Sequence, residues 1–213
     1  MYPLPECTSI AVSGTTMSGK SFWTFRLLRE KEAMFSSPPE KVLYCYGIYQ
    51  PLFEKIEQEL PFVTFHEGLP SEDTLKEHSS SNSCNLVILD DLMDGVTTSA
   101  EMESLFVKGV HHLHLSVLYI NQNLFCKGKH SRTINLNTHI YVLMKNPRDA
   151  SQLQCLARQA FLGKSGFLMD AYKDATSQPY GYLVLDFSPG AEEAYRVRTN
   201  VFPGEDTIIY QPS

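Results

Sequence analysis

The residues Gly14-Thr15-Thr16-Met17-Ser18-Gly19-Lys20-Ser21 fit the pattern G-x-x-x-x-G-K-[ST]. The chemistry of that spacing is phosphate binding. Its glycines let the backbone wrap an anion, and successive N–H groups, together with the positive end of the following helix, face the charge. Lys20 is placed to reach the β- and γ-phosphates and the Ser21 hydroxyl to ligate Mg²⁺, so Gly14 to Phe22 forms the expected nucleotide-binding segment. An ordinary Gly/Ser turn could carry the same letters. The context argues otherwise, because an apolar run precedes the loop and a helical pattern follows it.

Seventy positions beyond Lys20, Leu86-Val87-Ile88-Leu89 delivers Asp90 and Asp91 at the end of a continuous apolar run. Ligands of parallel sheets bind beyond the carboxyl ends of the strands. Asp90 is therefore expected to hold Mg²⁺, directly or through water, and Asp91 to orient or deprotonate an attacking water. A third polar strand tip, Asn121-Gln122-Asn123, follows Leu115–Ile120. Gln122 is the candidate sensor of the terminal phosphate or lytic water, since an amide accepts and donates at once; capping a loop is the plainer alternative. Trp23 reads as packing. His111, His112 and His114 read as helix-end and strand-start residues, because neighbouring histidines splay apart on a helix and no fourth ligand is suitably spaced.

The elements that must position these groups alternate. Strands are expected at Thr8–Ser13, Lys41–Tyr46, Phe62–Phe65, Leu86–Leu89, Leu115–Ile120 and Ile140–Met144. Helices are expected at Lys20–Phe35, Pro51–Leu60, Ser71–His78, Glu101–Val110 and Ala150–Leu162. This β–α alternation predicts an α/β fold with a mainly parallel sheet covered on both faces. After Tyr180 the pattern turns to short antiparallel strands punctuated by Ser188-Pro189-Gly190 and Pro203-Gly204. The 213 residues suit a single domain over 1–213, with a core at about 8–162 and a β-rich tail at about 163–213.

Composition excludes some classes and leaves one open. The chain is 43% hydrophobic and 20% charged, which is ordinary for a globular protein rather than a disordered one. No apolar run approaches the ~18 residues of a membrane span, and the start lacks a secretory pattern. Five scattered cysteines without a Cys-x-x-Cys pair suggest reduced thiols in an intracellular setting. The net charge of −6 argues against nucleic acid only until it is resolved along the chain. Ser104 to Arg148 contains no Asp or Glu but six Lys or Arg, leaving −12 elsewhere. Within that stretch, Lys127-Gly128-Lys129-His130-Ser131-Arg132 has the composition of a loop that tracks DNA phosphates, or of an ordinary solvated loop.

The order GTTMSGKS, LVILDD, SVLYINQNLF, RTINLNTHIYVLMKNPRD and LARQ resembles the FtsK–HerA superfamily of DNA-translocating ATPases. It is most similar to the poxvirus-type genome-packaging ATPases of large DNA viruses and virus-like transposons. The similarity covers about Ile10 to Phe161 and extends toward Tyr180–Asp186. The resemblance implies a RecA-like P-loop core and a homo-oligomeric ring of five or six subunits. It further implies ATP–Mg²⁺ as cofactor, double-stranded DNA as substrate, and capsid or portal-vertex proteins as partners at sites of virion assembly in an infected cell. Carried over by position, Lys20 and Ser21 are phosphate-loop residues, Asp90 the metal acid, Asp91 the catalytic acid and Gln122 the sensor. Such rings complete each site with a neighbour's arginine, for which Arg132 and Arg148 are the first candidates and Arg158 the third. Two departures stand out: Asp91 occupies a position where many members have Glu, and Asn123 replaces an arginine that often follows the glutamine. The rival readings are a P-loop kinase of a nucleotide or small metabolite, a non-packaging nucleic-acid motor, and a regulatory nucleotide-binding module.

Overall fold

A computed structural model describes residues 2–80, 83–109, 113–125 and 127–212. Among these residues nine strands form one sheet, in the order 63–67, 42–46, 85–90, 115–121, 9–13, 140–144, 182–186, 197–199 and 208–209. The parallel part comprises β1 (Ser9–Ser13), β2 (Val42–Tyr46), β3 (Val63–Glu67), β4 (Asn85–Asp90), β5 (Leu115–Asn121) and β6 (Ile140–Met144). Antiparallel β7 (Tyr182–Asp186), β8 (Val197–Thr199) and β9 (Ile208–Ile209) extend it beyond β6.

The strand period of two divides the core. Ile10 and Val12 of β1, Leu86 and Ile88 of β4, and Leu118 and Ile120 of β5 face Phe25, Leu28, Phe53 and Ile56 of the helices Lys20–Arg29 and Leu52–Glu59. Their alternates Ala11, Val87, Leu89, Val117 and Tyr119 face Met102, Ile134, Leu153 and Leu168 on the other side. Both faces of the central strands are thus sealed, which is why they read as continuous apolar runs. Ser71 caps the helix Glu72–His78, its Oγ accepting from the Thr74 N–H at 3.1 Å.

Two helical expectations need correction, and the tail needs an addition. The run Lys20–Phe35 is broken at Glu30 (φ −103°, ψ 20°) into Lys20–Arg29 and Lys31–Met34, and Phe35 is extended and bridges to Leu4. Glu30 accepts from Arg26 one turn earlier, and Arg26 also pairs with the distant Glu205, so one tertiary ion pair lies beside the break. The second, expected over Glu101–Val110, is α-helical only through Ala100–Ser104 and continues as a π-helical turn over Leu105–Gly109. The tail expected as β-rich at about 163–213 opens with a helix over Ser165–Ala175 that packs on Ala150–Ala160. A helix over Ser131–Leu136 also shapes what read as loop. His111 and His112 lie outside the described residues. Beyond the amino ends of β1 and β6, a buried ion pair joins Arg198 to Asp186 at 2.9 Å.

Candidate nucleotide-hydrolysis site

β1 lies between β5 and β6, with β4 beside β5. Their carboxyl ends therefore present Ser13, Asp90, Asn121 and Met144 along one edge. From this edge the phosphate loop departs, the Gly14 N–H donating to the Asn121 carbonyl at 3.2 Å. A Cβ on Gly14 would lie 2.7 Å from Met144 Cβ and from Ser18 Oγ, so only glycine fits there. Gly19 caps the following helix in the left-handed region (φ 102°), and the Trp23 N–H donates to its carbonyl at 2.8 Å.

Lys20, Ser21, Asp90, Asp91 and Gln122 line one cleft of about 540 Å³, shared with Thr16, Met17, Gly19, Phe22, Gln50, Asn121 and Tyr180. Lys20 Nζ donates at 2.8 Å to both the Gly14 and Thr15 carbonyls, so the ammonium closes the loop on itself. Burial pushes the Lys20 pKa down, while Asp90 and Asp91 pull it back up.

The adjacent carboxylates occupy different worlds. Asp90 is 4% exposed, and its Oδ2 accepts from the Tyr44 hydroxyl at 2.7 Å and from Gln50 Nε2 at 3.5 Å. Burial pushes its pKa up to about 6; Tyr44 and Lys20 hold it down and Asp91 adds to the rise. Asp91 is exposed, with a left-handed backbone (φ 57°) that turns the chain out of the sheet. Aspartate tolerates that conformation better than most residues. One carboxylate is therefore buried and fixed, the other accessible to a water in the cleft.

Mg²⁺ accepts one or two protein oxygens and otherwise keeps waters and phosphate oxygens. The Ser21 hydroxyl and Asp90 fit that demand, and a cation there would relieve the cost of burying an ionised Asp90. Among the described residues no group of three or more His, Cys, Asp or Glu could hold a metal alone.

Gln122 is held through its backbone. Its N–H donates to Asn121 Oδ1 at 2.8 Å and its carbonyl accepts from Asn146 Nδ2 at 3.3 Å. The Leu124 N–H donates to Asp149 Oδ2 at 3.4 Å and the Phe125 N–H to Gln152 Oε1 at 2.7 Å. The segment Asn146-Pro147-Arg148-Asp149 thus anchors the loop that carries Gln122, a role its polar composition did not disclose. Tyr44, Gln50 and Tyr180 also went unnoticed in the sequence. Tyr44 stands on β2 next to β4 and is two residues below Tyr46, the register partner of Asp90. Only that strand order could have pointed to it.

Trp23 is buried against Tyr182 and Phe202, as packing requires. Arg132, Arg148 and Arg158 are exposed, and none lines the cleft. Among the described residues of the cleft, Lys20 is the only cation. Arg148 follows β6 on the same sheet edge, its N–H donating to Asn146 Oδ1 at 3.3 Å. Lys127 and Lys129 are exposed on a loop held by Thr97, whose Oγ1 donates to the Lys127 carbonyl at 3.0 Å.

The sheet and cleft define a RecA-like P-loop domain, mostly parallel with an antiparallel extension. The solved structures similar to it include the DNA-packaging ATPase B204 of Sulfolobus turreted icosahedral virus, with a TM-score of 0.59 at 10% identity over 100% of both chains. The genome-packaging NTPase B204 of Sulfolobus turreted icosahedral virus 2, in complex with ATP-γS, gives 0.57 at 11% identity, covering 97% of this chain and 98% of that one. The cytoplasmic domain of EssC gives 0.50 at 17% identity, covering 97% of this chain but 40% of the other. At these identities the likeness is one of fold. No protein-family model matches the chain, and no curated protein matches its sequence.

Proposed function

We propose that this chain is an ATPase of the FtsK–HerA type, the motor subunit that drives double-stranded DNA into a viral capsid. The observation that carries the reading is the convergence of Lys20, Ser21, Asp90, Asp91 and Gln122 on one cleft at the carboxyl edge of the sheet. The full-length fold match to two viral packaging NTPases supports the packaging role.

In this mechanism the loop amides and Lys20 bind the phosphates, and Lys20 exchanges the Gly14 and Thr15 carbonyls for phosphate oxygens. Ser21 and Asp90 would hold Mg²⁺, which would neutralise phosphate charge there. Asp91, exposed beside the buried Asp90, accepts a proton from the attacking water; Gln122 positions that water from a backbone pinned by Asn121 and Asn146. The charge developing on the terminal phosphate calls for a further cation. With Lys20 the only cation among the described cleft residues, a neighbouring subunit's arginine supplies it, which makes a ring part of the chemistry. Arg132 and Arg148 are the candidates for that arginine. The Lys127–Lys129 loop then follows the DNA backbone, and capsid or portal-vertex proteins receive the ring.

The test is ATP hydrolysis by the purified chain with and without double-stranded DNA, beside particle imaging. DNA-stimulated hydrolysis by rings is the expected result. A DNA-indifferent monomer that phosphorylates a nucleotide or small metabolite would make the protein a kinase instead.

A further inference from the structure

We propose that the cavity at the amino end of the sheet is a docking site for an extended basic segment of a partner protein, holding a lysine or arginine side chain. The proposal is independent of the nucleotide reading, because this cavity shares no lining residue with the phosphate cleft.

The cavity measures about 460 Å³, room for a few side chains. One wall is the strap that leads into β1. Leu4 pins this strap: it is buried, its N–H donates to the Met34 carbonyl at 2.7 Å, and its carbonyl accepts from the Ser36 N–H at 2.9 Å. Pro3 and Pro5, on either side of that anchor, line the cavity beside Tyr2. The other wall is the β7–β8 connection from Ser188 to Tyr195. The two walls meet where the Tyr2 and Tyr195 rings stack, with 4.1 Å between centroids and 29° between planes. Rings and prolines thus shape the space before anything enters it, which lowers the cost of ordering a guest.

The charges decide what it holds. The lining contains three carboxylates, Glu6, Asp186 and Glu192, against one guanidinium, Arg198. Arg198 is already matched, its Nη2 donating to Asp186 Oδ2 at 2.9 Å and its Nη1 to the Tyr195 carbonyl at 2.6 Å. Glu6 and Glu192 are exposed and make no ion pair among the described residues. An anion is repelled by this excess, and a cation on an apolar stem is matched by it. The ammonium or guanidinium reaches Glu6 and Glu192 while its methylenes lie along the tyrosine and proline surfaces. The main chain of such a segment answers a second need. Arg198 and Ser188 are 3% and 7% exposed, both line the cavity, and Arg198 Nε and Ser188 Oγ have no hydrogen-bond partner. Leaving a buried donor unpaired is costly. A peptide carbonyl offers these groups an acceptor, and being uncharged it leaves the Arg198–Asp186 pair intact.

Fluorescence anisotropy without nucleotide tests the site, using a fluorescein-labelled peptide of Pro-Arg repeats and a matching one of Pro-Glu repeats; the prolines keep both probes extended. The Pro-Arg probe should bind the purified chain, and the Pro-Glu probe should bind at least about tenfold more weakly. Glu6→Lys/Glu192→Lys should weaken the Pro-Arg probe at least about tenfold and leave ATP binding unchanged. Glu54→Lys/Glu57→Lys makes the same change in net charge at exposed positions of the helix Leu52–Glu59 and should bind the probe like the wild type. Ser188→Ala should weaken the probe severalfold while leaving the free protein at least as stable, because it removes a buried hydroxyl that has no partner. Absence of Pro-Arg binding, or equal binding of the Pro-Glu probe, would overturn the proposal. So would equal losses in the two lysine variants, which would reduce the effect to net charge. Wild-type affinity in Ser188→Ala would overturn the carbonyl contact.

Discussion

Replacing Asp90 with asparagine should stabilise this protein while disabling its site. Asp90 is 4% exposed and its carboxyl has been carried from an ordinary 3.8 to about 6, chiefly by burial. Between those two values the native state holds a proton that the unfolded chain has already released. Wild-type stability from this group is fully present below pH ~4 and is lost as pH rises through about 6. The ionised form then costs about 3 kcal/mol at pH 7.5. Asparagine keeps the shape and an oxygen for the Tyr44 hydroxyl, now 2.7 Å from Oδ2, and has no charge to bury. In a chain of this size ~3 kcal/mol corresponds to a rise in melting temperature of roughly 6–12 °C. Thermal and denaturant unfolding of both proteins between pH 5 and 8, in chelator and without nucleotide, measures the difference. The gain should be large at pH 7.5 and shrink toward pH 5, and Mg²⁺-ATP should stabilise the wild type more than the variant. A variant no more stable at pH 7.5, or a gain independent of pH, would refute the reasoning about Asp90.

Other perturbations separate the remaining parts. Arg132→Ala or Arg148→Ala should lower ATP hydrolysis on the order of a thousandfold while sparing ATP binding. Mixing either with Lys20→Ala subunits should restore turnover if that arginine acts on a neighbour, and failure of both mixtures removes these positions from that role. The double change Lys127→Glu/Lys129→Glu should weaken duplex binding and flatten its salt dependence by roughly two in log–log slope; an unaltered slope takes the loop out of the DNA path. At the opposite end of the sheet, Asp186→Ala leaves the 3%-exposed Arg198 without its carboxylate and should cost about 3–5 kcal/mol, and a loss below ~1 kcal/mol would show that water reaches the pair.

What the sequence disclosed follows from which signals are local. The turn from Gly14 into the helix at Lys20 was legible because its glycines answer to immediate backbone demands at Gly14 and Gly19. The central strands were legible because burial on both faces leaves no polar alternation, and Asp90 and Asp91 mark where such a strand stops. The helix Ser165–Ala175 was not foreseen: it carries Gly166 and is stabilised by packing Leu168 and Ala171 onto the core. Glu30 interrupts a helical period where Arg26 also reaches the distant Glu205, a contact that spacing cannot disclose. Tyr44, Asn146 and Tyr180 reach the site from positions far from its motifs, so their roles depend on strand order and loop closure rather than on spacing.

If this chain is a motor, hydrolysis in the cleft moves it along DNA. Displacement of a labelled triplex-forming strand from linear duplex DNA measures that movement directly. With Mg²⁺-ATP the wild type should strip the third strand, whereas Lys20→Ala, or wild type with a non-hydrolysable analogue, should leave it in place. DNA-stimulated hydrolysis without displacement would mean that the protein does not translocate.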